Sequence, residues 1–96
     1  KAPKENPGQV ILNVTWVPIN NAGAIEVNNR VYSTGGELVP LLRDAVIKTP
    51  QTRVLIRADR AVRYAYLREI LKAVGQSGIP NVTFSVVDKD TAPAGQ

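Results

Sequence analysis

The residues with the most chemistry in this chain are Asp59 and the arginines around it, Arg53, Arg57, Arg60, Arg63 and Arg68. A carboxylate where a strand gives way to a helix stands at a sheet's carboxyl edge, a frequent place for ligands. A cation series of this kind suits a phosphate or an acidic polymer. Each has a plainer reading. An Asp at a turn accepts backbone N–H groups, and exposed arginines make a solvated face or a protein contact. The plainer reading is preferred for Asp59 because no partner acid, base or nucleophile is recognisable nearby. It is preferred for the arginines because the single Trp and three Tyr do not interleave with them as a stacking platform would.

The chain has no His and no Cys. Disulfides, thiolate metal sites and the commonest general base near neutral pH are therefore excluded. The remaining acids, Glu26, Glu37, Asp44, Glu69, Asp88 and Asp90, are scattered and suggest neither an acid–base pair nor a metal cage. No catalytic residue, cofactor site or metal site is expected, and the chain does not read as an enzyme. Gly75-Gln76-Ser77-Gly78 has the letters of a KH-domain clamp, but it ends a helix and leads into Ile79-Pro80 and a strand, so helix termination explains it better. Gly35-Gly36 lacks the Gly-Lys-Ser/Thr ending of a phosphate loop. Asn13-Val14-Thr15 and Asn81-Val82-Thr83 match the glycosylation pattern by letter, and each lies in or beside a predicted strand.

These residues depend on the elements that hold them. Residues 10–17 alternate, with Val10, Leu12, Val14 and Trp16 on one side, which predicts a strand with one buried face ended by Pro18. Asn20-Asn21-Ala22-Gly23 is a turn, residues 24–27 a short strand, and Asn28-Asn29 a hairpin turn into Arg30-Val31-Tyr32. Thr34 and Glu37 have capping-box spacing. Leu38, Leu41, Leu42, Ala45 and Val46 then make a helical stripe that Thr49-Pro50 stops, with Pro40 leaving the helix start open. Residues 53–58 are the next strand. The second helix is expected to bury Tyr64, Leu67, Ile70, Leu71 and Val74, and Gly78 and Pro80 end it. In the last strand Val82, Phe84 and Val86 share one side. The order is β-β-β-α-β-α-β. It predicts an α+β fold, a two-layer sandwich whose mixed sheet carries both helices on one face. The last two strands should be parallel, and the other face, with Arg53, Arg57, Thr83 and Ser85, is left open.

Ninety-six residues suit one domain with an aliphatic core. Residues 1–9 and 89–96 have linker composition, so the folded domain is expected over residues 10–88. The net charge of +4 permits nucleic acid, anionic lipid or an acidic partner without choosing among them. No apolar run approaches the roughly 20 residues that span a bilayer. The chain opens on Lys1, so a targeting or membrane segment is expected upstream.

Val54, Ile56, Ala58 and Asp59, then Val62 and Tyr64, then Leu67, Leu71 and Gly78-Ile79, follow one another in an order and spacing that resembles the periplasmic domain of the ExbD/TolR family. Upstream, the Gly23 turn, Ile25-Glu26-Val27-Asn28-Asn29 and Leu38 with Leu42 extend the resemblance over most of residues 10–87. It implies a single-pass inner-membrane protein with this domain in the periplasm and residues 1–9 as tether. It also implies an ExbB/TolQ-type channel protein and a TonB/TolA-type transducer as partners, driven by the proton-motive force. The proton-carrying Asp of the family lies in its transmembrane helix, so Asp59 is a different residue. The domain would be the output end, a homodimer that docks periplasmic partners or peptidoglycan, with no cofactor and no nucleic acid. Arg53, Arg57, Asp59, Arg60 and Tyr64 are the expected partner-binding residues, and an unpaired sheet edge invites strand pairing between subunits. From the residues alone the alternative is a small basic α/β nucleic-acid-binding domain, carried by the charge and the Arg series. An enzyme is the remotest reading.

Overall fold

Strand alternation and helical periodicity converge on one buried layer. The computed structural model describes residues 8–88, so the expected linker up to residue 7 and the tail 89–96 lie outside the described residues. The elements are β1 (Gln9–Val17), β2 (Ala22–Val27), β3 (Arg30–Tyr32), α1 (Leu38–Lys48), β4 (Arg53–Asp59), α2 (Tyr64–Gln76) and β5 (Asn81–Val87), with short 3-10 turns at Pro18–Asn20 and Gly35–Glu37. The five strands form one sheet in the order β3-β2-β1-β4-β5. β1 pairs antiparallel with β2, and β2 with β3. β1–β4 and β4–β5 are parallel. This is the expected α+β sandwich with a mixed sheet.

The core takes every second residue of the central strands: Leu12 and Val14 from β1, Ile25 and Val27 from β2, and Val54, Ile56 and Ala58 from β4. Leu38 and Leu42 of α1 and Ile70 and Val74 of α2 pack against them, so both helices serve one face. Fully burying a side chain such as Leu12, Ile56 or Ile70 stabilises the fold by roughly 1.5–3 kcal/mol. The opposite face carries no helix.

Local chemistry sets the joints. Asn28 and Asn29 take φ of 51° and 69°, the left-handed pair that a two-residue hairpin turn requires. Thr34 and Glu37 do not form the capping box their spacing predicts: no side chain caps a backbone N–H there, and Thr34 Oγ1 instead donates to Glu37 Oε2 at 3.1 Å. The backbone bond beside them, Glu37 N–H to the Thr34 carbonyl, winds a 3-10 turn, and α1 begins after it with Pro40 in its first turn. That position resolves Pro40, because an N–H there has no intrahelical partner to lose. Thr52 is buried between α1 and β4. Its hydroxyl reaches the Thr49 carbonyl at 2.5 Å and the Ala45 carbonyl at 3.2 Å. Gly78, with φ of 80°, ends α2.

Two further expectations need correction. Tyr64, placed on the buried stripe of α2, is 70% exposed, and Leu71 is 41% exposed. The inward face instead runs through Tyr66, Leu67, Ile70, Ala73, Val74 and Ser77. The side of β5 that continues the core face is also largely uncovered, with Val82 at 41%, Phe84 at 44% and Val86 at 52% exposure.

Candidate functional site

The open sheet face is built by register. Arg53, Leu55 and Arg57 follow one another along it on β4. The rows across the strands are Gln9–Arg53–Asn81, Ile11–Leu55–Thr83 and Asn13–Arg57–Ser85. Both arginines are exposed, and about 13 Å of strand separates them at 3.3 Å per residue. Neither belongs to an ion pair among the described residues. Between them lies an apolar row of exposed Ile11 and half-buried Leu55. Two cations flanking apolar surface can hold an acidic partner by charge and by area together.

The other expected partner-binding residues divide between places. Asp59 ends β4 on the open face, and its Oδ1 accepts the Ala61 N–H at 3.3 Å, as a turn-forming Asp does. Arg60 donates its N–H to the Val87 carbonyl at 3.0 Å, and its Nε stands 3.7 Å from Asp88 Oδ2, tying the 59–64 turn to the end of β5. Tyr64 lies apart from the arginine pair, in a groove at the start of α2. The structure thus joins Arg53 and Arg57 on one face, with Asp59 and Arg60 beyond them at the carboxyl end of β4, and places Tyr64 elsewhere.

That groove is lined by Trp16, Asn21, Arg63, Tyr64, Tyr66 and Glu69, among others. The Trp16 and Tyr66 rings meet edge to face, centroids 5.9 Å apart with a 70° interplanar angle. The Arg63 guanidinium stands 5.7 Å from the Trp16 ring centre, a cation–π arrangement that contributes about 0.5–1 kcal/mol at an exposed site. Tyr66 Oη donates to the Ser33 carbonyl at 2.6 Å. Burial, and then the negative charge of Glu37, push the Tyr66 hydroxyl pKa above its ordinary value. Sequence reading missed this cluster. The available signal was Trp16 falling on the inward side at the end of β1.

The aromatic cluster and the arginine pair therefore occupy different layers, and the open face has no base-stacking platform. Among the described residues no group of three His, Cys, Asp or Glu side chains is placed to hold a metal ion, and no helix is long and apolar enough to cross a membrane.

The fold and its exposed faces define a small α+β domain whose available chemistry is that of docking surfaces. The family model for biopolymer transport protein ExbD/TolR matches residues 1–89. The chain belongs to the ExbD/TolR family, a membrane-associated and transport-associated family without enzymatic activity. Membership supports a role in energy transduction for biopolymer transport, within a complex with other proteins. No curated protein matches the chain.

Proposed function

We propose that this domain is the periplasmic output end of a single-pass inner-membrane protein. With an ExbB/TolQ-type channel protein it couples the proton-motive force to a TonB/TolA-type transducer and to transport at the outer membrane. It acts as a homodimer, and it docks its partner, or peptidoglycan, through the face of Arg53 and Arg57. Asp59 and Arg60 form the rim of that face. Tyr64 offers a separate contact on the helix layer.

The observation that carries this reading is the helix-free sheet face of an ExbD/TolR family chain, where two exposed arginines flank Ile11 and Leu55. Charge on such a face steers and selects a partner more than it stabilises the fold. The test is the double variant Arg53→Glu/Arg57→Glu in the full-length protein. Transducer binding is expected to fall at least tenfold and proton-motive-force-dependent transport to fail. Copurification with the channel protein, which the membrane helix would govern, should persist. Normal transport by the double variant would remove this face from the mechanism.

A further inference from the structure

We infer that β5 is the homodimer seam, pairing antiparallel with β5 of a second copy about a two-fold axis through Phe84. This rests on the homodimeric reading above and supplies its surface. Natural sheets guard their edges with charge, proline, bulges or brevity. The β3 edge is guarded, being three residues long and starting at Arg30. The β5 edge is seven residues, Asn-Val-Thr-Phe-Ser-Val-Val, with no charge, proline or glycine. No strand lies beyond it among the described residues.

The hydrogen-bonding phase of β5 follows from one bond. The Val87 carbonyl faces β4, accepting the Arg60 N–H. Alternation then turns the N–H and C=O groups of Val82, Phe84 and Val86 outward, toward the free edge. The same three residues carry the uncovered apolar side chains.

The strand is also self-complementary. Stepping outward from Phe84 meets Thr83 and Ser85, then Val82 and Val86. An antiparallel copy centred on Phe84 sets Phe84 against its counterpart and Val82 against Val86, each as a hydrogen-bonded pair, with about six inter-strand bonds in all. The apolar side chains join into one row on the helix side. Thr83 meets Ser85 on the open side, a favourable hydroxyl pair. The axis stands perpendicular to the sheet, so the two five-stranded sheets become one and both arginine pairs face the same way. About three strand spacings, roughly 14 Å, separate the β4 strands, so the arginines do not collide. A seam of this kind buries less than a standard interface, so the isolated domain should associate weakly, at roughly micromolar or higher concentration.

The test is sedimentation of the 96-residue chain from low micromolar to millimolar concentration, beside Phe84→Glu, with circular dichroism to show that each is folded. The wild type is expected to pass from 10.4 kDa to twice that mass, and Phe84→Glu to weaken association at least tenfold. Register is read from single cysteines, which the chain otherwise lacks. Phe84→Cys should crosslink to itself on oxidation. Val82→Cys and Val86→Cys should crosslink when mixed and not alone. A folded Phe84→Glu that dimerises like wild type, or Phe84→Cys that crosslinks no better than the exposed Ile47→Cys on α1, overturns the seam and leaves the homodimer standing. A wild type that stays at 10.4 kDa throughout, with no self-association of the full-length protein, overturns both. Neither result bears on docking through Arg53 and Arg57, which the transport assay tests separately.

Discussion

The ring of Tyr66 fills the space that a side chain on Gly23 would need. A β-carbon built on Gly23 runs into three atoms of that ring. The missing side chain lets α2 settle on β2, brings Tyr66 edge-on to Trp16, and lets its hydroxyl reach Ser33. Gly23→Ala is expected to destabilise the domain by about 1–3 kcal/mol through overpacking. A double-mutant cycle in urea checks this. If the ring is the obstacle, adding Gly23→Ala to Tyr66→Ala should cost clearly less than adding it to the wild type.

Tyr66 also predicts a response to alkali. Its folded pKa is raised above the ordinary 10.0, so the folded state holds the proton more tightly than the unfolded chain. Stability from this group is complete below about pH 10 and falls as pH rises through the folded pKa, because the unfolded state has released its proton first. Tyr66→Phe should flatten that part of the curve and lose about 1 kcal/mol at neutral pH with the hydrogen bond to Ser33. Denaturant midpoints between pH 8 and 11 for both proteins decide it.

Thr52 closes α1 from the far side of its last turn. One buried hydroxyl is shared between the carbonyls of Ala45 and Thr49. Thr52→Val keeps the shape and removes the hydroxyl donor, while the Ala45 and Thr49 carbonyls keep the backbone N–H groups of Thr49 and Thr52. It is expected to cost about 1–2 kcal/mol, with Thr52→Ser recovering part of the loss. A loss for the serine variant with none for the valine variant would assign the effect to packing.

Gly75 and Gly78 give opposite signs. Gly75 lies inside α2 with open space where a β-carbon would stand, so Gly75→Ala should stabilise by about 0.5–1 kcal/mol. Gly78 has φ of 80°, and Ala there should destabilise by about 1 kcal/mol despite equally open space. Thermal melts of the two variants should move in opposite directions.

What was readable in the chain was what short-range rules decide. Asn28-Asn29, Gly78 and the turn role of Asp59 each answer to a few neighbouring atoms, and strand alternation is legible wherever one face is buried. The α2 stripe was read correctly through Leu67, Ile70 and Val74 and wrongly at its edge, where Tyr64 and Leu71 took the place of Tyr66 and Ala73. Tyr64 and Tyr66 are the same residue type two positions apart, and periodicity alone does not say which ring meets Trp16. Alternation put Val82, Phe84 and Val86 on one side of the strand but could not reveal that this side continues the core face or that the helix layer leaves it uncovered. The Trp16 groove joins the end of β1 to the start of α2, a meeting that only the folded topology creates.

The parallel ladder between β1 and β4 decides how the domain answers a pull. It runs in register from Gln9–Arg53 to Val14–Ala58, just after the Arg53 N–H bonds the Gly8 carbonyl at 2.7 Å. Tension entering at Gly8 acts along β1, an inner strand held by neighbours on both sides. Its cross-strand bonds are loaded in shear and must yield together, whereas a strand peeled from an edge gives up one bond at a time. Rupture under such a pull is then a rate set by the unfolding barrier rather than by the equilibrium stability of the fold.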